Sequence, residues 1–327
     1  MKKTLFVLFV LLTFLSLFSC KKNSSPSGPV ATPTINPSAL VSVPGNTFYQ
    51  TDGTYGFNNT ISSFFIGKYQ VTYELWYTVY QWAIVNGYTF QDAGAEGSTG
   101  TIGAAPDAGE YQPVTTVNWR DAIVWCNAYS LKSGLVPVYY SDSGFNTVIK
   151  SSINGSYGAT TCTAAGCFDN PYVNWNANGY RLPTEGEYQY AASYIDGTNW
   201  TPYDYASGAT ANHTNEAASD LVAWDSVNSG NYTHAVGGLA PNALGIYDMS
   251  GNVWEWCWDW NGTYPTTAET NYRGPASSSI EPFRAVRGGC YNYTATSLPV
   301  GYRSVDAPYE NGGSEGGIVG FRVARNN

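Results

Sequence analysis

Histidine, methionine and charged side chains are scarce in this chain of 327 residues. It contains 2 His and 2 Met, and only 12% of its residues are charged. So few histidines leave little material for a His-based metal site or a catalytic triad. The 15 basic residues are outnumbered by 24 acidic residues, which gives a formal net charge of −9. Electrostatic binding of nucleic acid needs a basic surface, so we expect no nucleic-acid partner.

Long apolar runs are also missing, apart from one at residues 5–18. Two lysines precede this run, and it is too short for a membrane span, which is typical of a secretory signal. It ends at Leu17-Phe18-Ser19-Cys20, which resembles a bacterial lipobox. The resemblance predicts a lipoprotein signal peptide over residues 1–19 and lipidation of Cys20. Ordinary secretion with cleavage at another position is the alternative.

The stretch after Cys20 is rich in serine and proline and shows no apolar periodicity. We therefore expect residues 20–39 to form a semi-extended tether between the lipid and the remaining, water-soluble part of the chain. A lipid anchor makes the membrane a partner, since several acyl chains hold a protein stably on a bilayer. The predicted localisation is the bacterial cell envelope, as an outer-membrane lipoprotein exposed at the surface.

Aromatic residues and glycine are abundant, with 11 Trp, 27 Tyr, 13 Phe and 35 Gly. This much aromatic surface argues against disorder. Helical periodicity predicts one helix between Thr72 and Gly87 and a second between Asn118 and Gly134. A third helix is predicted after Thr184, which has capping-box spacing to a glutamate three residues later. A few helices, short strands and long loops indicate the α+β class.

The segment Trp254–Trp260 alternates tryptophan with small or acidic residues, which predicts a strand with indoles on one face. We expect the indoles to pack in the core. Glu255, Cys257 and Asp259 occupy the opposite face. Their carboxylates, together with the Asn252 amide, suit Ca²⁺ as a structural ion, and no other cofactor is required. The carboxylates are equally compatible with an acid/base pair or with simple contacts to arginines.

The six cysteines contain no C-x-x-C pair, so a structural zinc site is not expected. Cys162 and Cys167 flank a short loop, and a disulfide between them fits an exported protein. Cys126 and Cys257 lie among tryptophans, as expected of buried, inert thiols. The sequence pattern assigns no role to Cys290.

Six segments, taken in this order, resemble the formylglycine-generating-enzyme (sulfatase-modifying factor) domain. They are residues 65–72, 113–119, 180–185, 241–256, 286–289 and 320–324. The resemblance covers nearly the whole chain after the tether and implies one domain over residues 40–327. It also implies a C-type lectin-like fold of the formylglycine-generating-enzyme type, loop-rich, with a small antiparallel sheet and two or three helices.

Enzymes of that family oxidise a substrate cysteine with a pair of their own cysteines that follow the Arg-Gly-Gly motif. Counted on from Arg287, the corresponding positions here are Tyr293 and Leu298, and neither side chain can replace a thiolate. Cys290 stands where the family usually has serine. The resemblance therefore predicts the fold without the enzymatic activity. An oxidase that survives with other ligands is the alternative.

The segment 287–322 matches the family at its ends and departs from it inside, where it contains no Lys, Met, Trp or Gln. Such a block on this fold resembles the variable proteins of diversity-generating retroelements, in which a reverse transcriptase rewrites adenine-marked codons. The predicted variable, ligand-binding residues are Cys290, Tyr293, Thr294, Ser297, Ser304, Val305, Asp306, Ala307, Tyr309, Glu310, Asn311, Gly312, Ser314 and Glu315.

The resemblance implies a surface-displayed, lipid-anchored protein whose variable segment binds an extracellular protein or glycan. Tyrosine supplies large contact area at low rotamer cost, while Ser, Gly and Asn supply adaptable hydrogen bonds. Two alternatives remain: a glycine-rich surface loop without a ligand, and a fixed-specificity lectin supported by calcium.

Overall fold

The structure, a computed structural model, describes residues 35–153, 160–276, 282–312 and 318–327. Its helices are α1 (Tyr73–Val85), α2 (Trp119–Lys132), α3 (Glu185–Ser193), α4 (Glu216–Ser219) and a 3-10 helix at Ala295–Ser297. Its strands are β1 (Leu40–Val43), β2 (Asn46–Thr51), β3 (Gly56–Ile61), β4 (Phe64–Gly67), β5 (Ala95–Glu96), β6 (Val114–Thr115), β7 (Tyr139–Tyr140), β8 (Tyr172–Val173), β9 (Trp254–Trp260), β10 (Glu269–Thr270), β11 (Arg284–Arg287), β12 (Arg303–Asp306), β13 (Val319–Gly320) and β14 (Ala324–Asn326). This mixture confirms the α+β class.

The predicted signal peptide, Cys20 and most of the tether lie outside the described residues. Within the described ranges, no helix has the length and apolar character needed to cross a bilayer.

The three long helices begin at the residues that the sequence predicts. The Thr72 side chain accepts the Leu75 N–H, and Asn118 and Thr184 each form a capping box with the third residue of their helix. These bonds satisfy N–H groups that the first helical turn leaves unpaired. Gly87 and Gly134 follow α1 and α2 with φ angles of 82° and 70°, a left-handed conformation that favours glycine. The predicted helices are confirmed.

Strand β9 lies inside a four-stranded sheet with the order β12-β11-β9-β13, and all its residues are buried. Trp254, Trp256 and Trp258 belong to the hydrophobic cluster that includes the buried faces of α1 and α2. Cys257 belongs to a second cluster, which includes residues of α3. The predicted strand and the core position of these indoles are confirmed. The acidic face of the strand is buried as well, against α3.

The hairpin β2–β3 pairs from Asn46 opposite Ile61 to Thr51 opposite Gly56. Its buried positions alternate as in any half-buried strand, but two of them are Gln50 and Asn59. These amides bond each other, with the Asn59 Nδ2 donating to the Gln50 Oε1 at 2.8 Å. Polar residues at inward positions conceal the hydrophobic alternation from which a strand is predicted.

Candidate functional site

The two arginines that bound the segment 287–322 are buried in ion pairs. Arg322 is 0% exposed, and its guanidinium donates to both carboxylate oxygens of Glu255 at 2.6 and 2.7 Å. The Nε of Arg287 lies 3.5 Å from the Glu185 carboxylate, and its Nη1 donates to the Tyr302 carbonyl. Bidentate guanidinium–carboxylate pairs set orientation as well as contact. The core therefore holds both ends of the segment in place.

Between these arginines the chain forms the 3-10 helix and the edge strand β12. Strand β12 pairs antiparallel with β11, from Arg284 opposite Asp306 to Arg287 opposite Arg303. In the described part of the chain, β12 is an outer strand of its sheet. The predicted variable residues 304–306 therefore belong to a strand that the central sheet aligns.

Exposure divides the predicted variable residues into three groups. Two are exposed, namely Tyr293 and Thr294. Six are partly exposed, namely Ser304, Val305, Asp306, Tyr309, Glu310 and Asn311. Four are buried, namely Cys290, Ser297, Ala307 and Gly312. Ser314 and Glu315 lie outside the described residues. Buried positions contact the core, so we expect substitutions there to change stability more than recognition.

The two positions predicted to replace catalytic cysteines lie in different environments. Leu298 is 0% exposed and packs in a small apolar cluster with residues such as Ala206 and Val222. Tyr293 is 41% exposed, and its ring meets the Trp254 ring edge-on with the centroids 5.9 Å apart. Their correspondence to the catalytic cysteines of the family stays a prediction. Their side chains do not fit a copper(I) site, because neither provides a thiolate.

Two exposed residues of the segment, Thr296 and Tyr302, are not among the predicted variable residues. The Tyr302 ring lies 5.8 Å from the Trp254 ring, on which Tyr293 also packs. The Thr294 and Thr296 hydroxyls are 2.8 Å apart. We call Tyr293, Thr294, Thr296 and Tyr302 the tyrosine face. The composition of the segment could have pointed to Tyr302, whereas the shared contact with Trp254 needed the structure.

A neighbouring loop forms hydrogen bonds with the backbone at and next to the tyrosine face. The Ser226 N–H donates to the Tyr293 carbonyl at 2.9 Å, and the Ser229 hydroxyl donates to the Tyr291 carbonyl at 2.7 Å. In the same loop, His234 stacks on Trp224 with ring centroids 3.8 Å apart. The backbone under the face is thus bonded to a packed aromatic loop, which limits its movement.

The later part of the segment contacts the start of α2. The Asn311 amide donates to the Asp92 carboxylate at 3.1 Å, and the Tyr309 ring lies 5.7 Å from the Arg120 guanidinium. Burial raises the pKa of Asp92. Burial and the neighbouring Asp92 raise the pKa of Asp121 to about 8. At neutral pH this carboxyl pair therefore retains a proton, and the Asn311 amide contacts it.

The residues predicted to bind calcium are each engaged elsewhere. Glu255 uses both oxygens for Arg322, and Asn252 bonds the backbone of a loop residue at 3.0 and 3.1 Å. Asp259 accepts the Glu185 N–H at 2.7 Å, and burial and the Glu185 charge raise its pKa to about 8. A paired carboxylate and a largely neutral one do not fit a cation. Among the residues described, no cluster of three or more His, Cys, Asp or Glu is placed to hold a metal ion.

The cysteines differ in their surroundings. Cys162 and Cys167 are joined by a disulfide bond. Cys126 and Cys257 are fully buried, and burial raises the pKa of both thiols, so neither forms a reactive thiolate near neutral pH. Cys290 is also buried and donates to the Asn292 side chain at 3.1 Å.

Comparison of sequences shows relatives of two kinds. The family described as Sulfatase-modifying factor enzyme 1-like domain matches residues 27–327. The chaperone protein LppX of Paenibacillus barcinonensis is 34% identical over 254 residues, which cover 72% of this chain and 75% of that protein. The formylglycine-generating enzyme of Thermomonospora curvata is 30% identical over 165 residues, 47% of this chain and 51% of the enzyme.

Comparison with solved structures shows a third relative, the Treponema denticola variable protein 1. It is 30% identical, with a TM-score of 0.67, and the match covers 88% of this chain and 95% of that chain. These matches confirm the resemblance inferred from the sequence and the C-type lectin-like fold of the formylglycine-generating-enzyme type.

Proposed function

This chain belongs to the Sulfatase-modifying factor enzyme 1-like domain family, and on that premise we propose that it is a non-catalytic binding protein. It is attached by Cys20 to the outer membrane and displayed on the bacterial surface. Its C-terminal segment is diversified by a retroelement and engages a protein or glycan ligand outside the cell. Binding requires no metal or other cofactor.

One observation carries this proposal: in its described part, the segment has buried ends and several exposed side chains between them. Arg287 and Arg322 are 1% and 0% exposed, whereas Tyr293 and Tyr302 are 41% and 40% exposed. A site that changes its sequence needs fixed boundaries and surface positions that tolerate substitution, and exposed residues away from special contacts usually change stability little. The similarity to the Treponema denticola variable protein 1 over most of both chains supports the same interpretation.

Diversification is tested in the gene itself. We expect sequences from independent isolates to differ mainly at codons for the tyrosine face and for residues 304–311. We also expect a near-copy of the 3′ coding end beside a reverse-transcriptase gene, differing mainly at adenines. Identical final codons in all isolates would contradict the proposal.

Binding is tested with two libraries of the displayed chain, sorted against biotinylated lysozyme as an arbitrary protein target. The first library randomises Tyr293, Thr294 and Thr296, and the second randomises buried Ser297 and Leu298. We expect folded binders from the first library and loss of folded protein from the second. Equal numbers of folded binders from both would contradict the division into face and core.

The lipid anchor is tested by changing Cys20 to serine. We expect the wild-type chain to incorporate labelled palmitate and to be cleaved by protease added to intact cells. The C20S variant should not incorporate the label and should leave the membrane fraction. Labelling of C20S, or protection of the wild-type chain in intact cells, would contradict the anchor or the display.

Similarity to the formylglycine-generating enzymes makes an oxidase the second candidate. Its test is incubation of the purified chain with copper(I), oxygen and a cysteine-containing peptide, followed by mass spectrometry. We expect the peptide to keep its cysteine, and formylglycine in the product would overturn the non-catalytic assignment. A calcium-supported lectin would instead lose ligand binding when a chelator is added.

A further inference from the structure

A cavity of about 300 Å³ lies away from the segment 287–322 and contains none of its residues. Its lining includes Trp175, Arg181 and Arg273. Residues 62 and 63, which connect β3 to β4, residue 64 at the start of β4 and the last two residues of the chain also line it. The volume is at the lower end of the range for small-molecule sites, about 300–1,000 Å³. The lining is dominated by amide, hydroxyl and guanidinium groups.

The two arginines of this cavity differ in their partners. The Arg181 guanidinium donates to both oxygens of Glu187 at 2.6 and 2.7 Å, so this pair is neutral as a whole. Arg273 has no carboxylate oxygen within 4.0 Å among the residues that the structure describes. Its guanidinium is stacked on the Trp175 ring, 4.0 Å from the centroid. The cavity therefore contains one guanidinium without a direct carboxylate contact among the described residues, placed over an indole.

The other polar groups of the wall are positioned by bonds to each other. The Asn271 amide donates to the Ser62 hydroxyl at 2.9 Å and accepts the Ser62 N–H at 2.8 Å. Asn326 accepts from Arg181 at 3.1 Å and donates to the Ala177 carbonyl at 3.0 Å. Partial desolvation and the nearby Arg181 charge lower the pKa of Arg273, whereas the Glu187 and Asp259 charges oppose this shift.

From this arrangement we propose that the cavity binds a small hydroxylated carboxylate of the size and chemistry of a sugar acid, with Arg273 as its principal ligand. A planar guanidinium fork matches a carboxylate through paired N–H···O bonds. A monoanion fits better than a dianion, whose second charge would face the Glu187 carboxylate uncompensated. The volume exceeds that of a bare carboxylate, and the hydroxyls and amides of the wall match a hydroxylated body.

The test is isothermal titration calorimetry of the purified full chain at low salt with glucuronate and with glucose, which lacks only the carboxylate. We expect glucuronate to bind at least about tenfold more tightly than glucose, because a charge-assisted bidentate pair adds on the order of one tenfold step. Arg273→Gln should weaken glucuronate binding by about tenfold and leave glucose unchanged, and Arg273→Lys should lose part of the affinity. Inorganic sulfate should compete more weakly than glucuronate.

Lys132→Gln is the matched control, since it removes one positive charge from an exposed site at the end of α2, outside the cavity. It should keep the glucuronate affinity within about twofold, as expected when only screened, long-range charge is lost. Circular dichroism melts of each variant show whether it is folded. Equal binding of glucose and glucuronate, absence of saturation by about 10 mM glucuronate, or an unchanged affinity in Arg273→Gln would each overturn the proposal. None of these results bears on the segment 287–322, because the two sites share no residue.

Discussion

The ends and the middle of the segment 287–322 differ in burial and in the contacts of their side chains. At the ends, Arg287 and Arg322 are buried, and carboxylates from α3 and β9 face them. In the middle, Tyr293 and Tyr302 present exposed rings that rest on one buried indole, Trp254. The ends restrict substitution, since each guanidinium there faces a buried carboxylate, whereas Tyr293 and Tyr302 present their rings to solvent.

This difference is what the proposed diversification requires, namely fixed ends and solvent-exposed side chains between them. Buried ion pairs contribute little net stability compared with apolar packing, but removing one partner is costly. They therefore act as geometric constraints that set where the segment enters and leaves the sheet. Exposed tyrosines provide large contact area at low rotamer cost. Under the proposed function, stability and recognition depend on different residues of the segment 287–322.

The largest expected effect comes from breaking an end. Arg322→Met leaves the Glu255 carboxylate charged and buried without its partner, so we expect a loss of about 3–5 kcal/mol in the free energy of unfolding. Urea denaturation measures it. Arg325→Met, in a half-exposed position three residues on, should cost much less. A double variant, Arg322→Met with Glu255→Leu, should recover part of the loss, and no recovery would mean that the pair is not the cause.

The next effect tests a buried position inside the segment. Leu298→Ala removes a fully buried side chain from its apolar cluster, so we expect a loss of about 2–5 kcal/mol. Val136→Ala, at an exposed position, is the matched aliphatic control and should stay within about 0.5 kcal/mol. Denaturation curves of the two variants give the comparison. Equal stabilities would show that Leu298 is not part of the core.

A third effect depends on pH and concerns the carboxyl pair Asp92 and Asp121, which Asn311 contacts through Asp92. The pKa of Asp121 is about 8 in the folded chain, against an ordinary value of about 3.9. Between these values the folded chain holds a proton that the unfolded chain has released, so this group makes stability fall as pH rises. The melting temperature of Asp121→Asn, relative to wild type, should therefore rise from about pH 5 to about pH 8. A constant difference would contradict the shifted pKa.

The smallest effect on stability is expected on the tyrosine face. Tyr293→Ser combined with Thr294→Ala and Thr296→Ala removes exposed side chains, so the free energy of unfolding should change by less than about 1 kcal/mol. Binding by a clone selected through this face should nevertheless be abolished, as measured by surface plasmon resonance. A stability loss comparable to that of Leu298→Ala would contradict the distinction between the exposed tyrosine face and the buried positions of the segment.

Local signals in the sequence predicted the long helices and the central strand correctly. Caps such as Thr72 and Asn118 act on N–H groups within three residues, and the alternation of Trp254–Trp260 follows from the pleat of a single strand. The hairpin β2–β3 was missed because its inward Gln50 and Asn59 satisfy each other, a pairing that periodicity does not reveal. The carboxylates of β9 left three alternatives open, because only their partners distinguish calcium, acid/base chemistry and arginine.

The sequence by itself determined where the helices begin, which strand crosses the core, the family, and the lack of sulfur at the two positions counted from Arg287. Each depends on neighbours along the chain or on motif order. The tertiary structure decided the rest: that Glu255 pairs with Arg322, 67 positions away, that Tyr293 and Tyr302 both pack on Trp254, and that the Arg273 guanidinium lies over the Trp175 ring beside a polar cavity. Such contacts depend on how distant elements pack, and an ion pair or a cavity exists only once packing has excluded water from around its members.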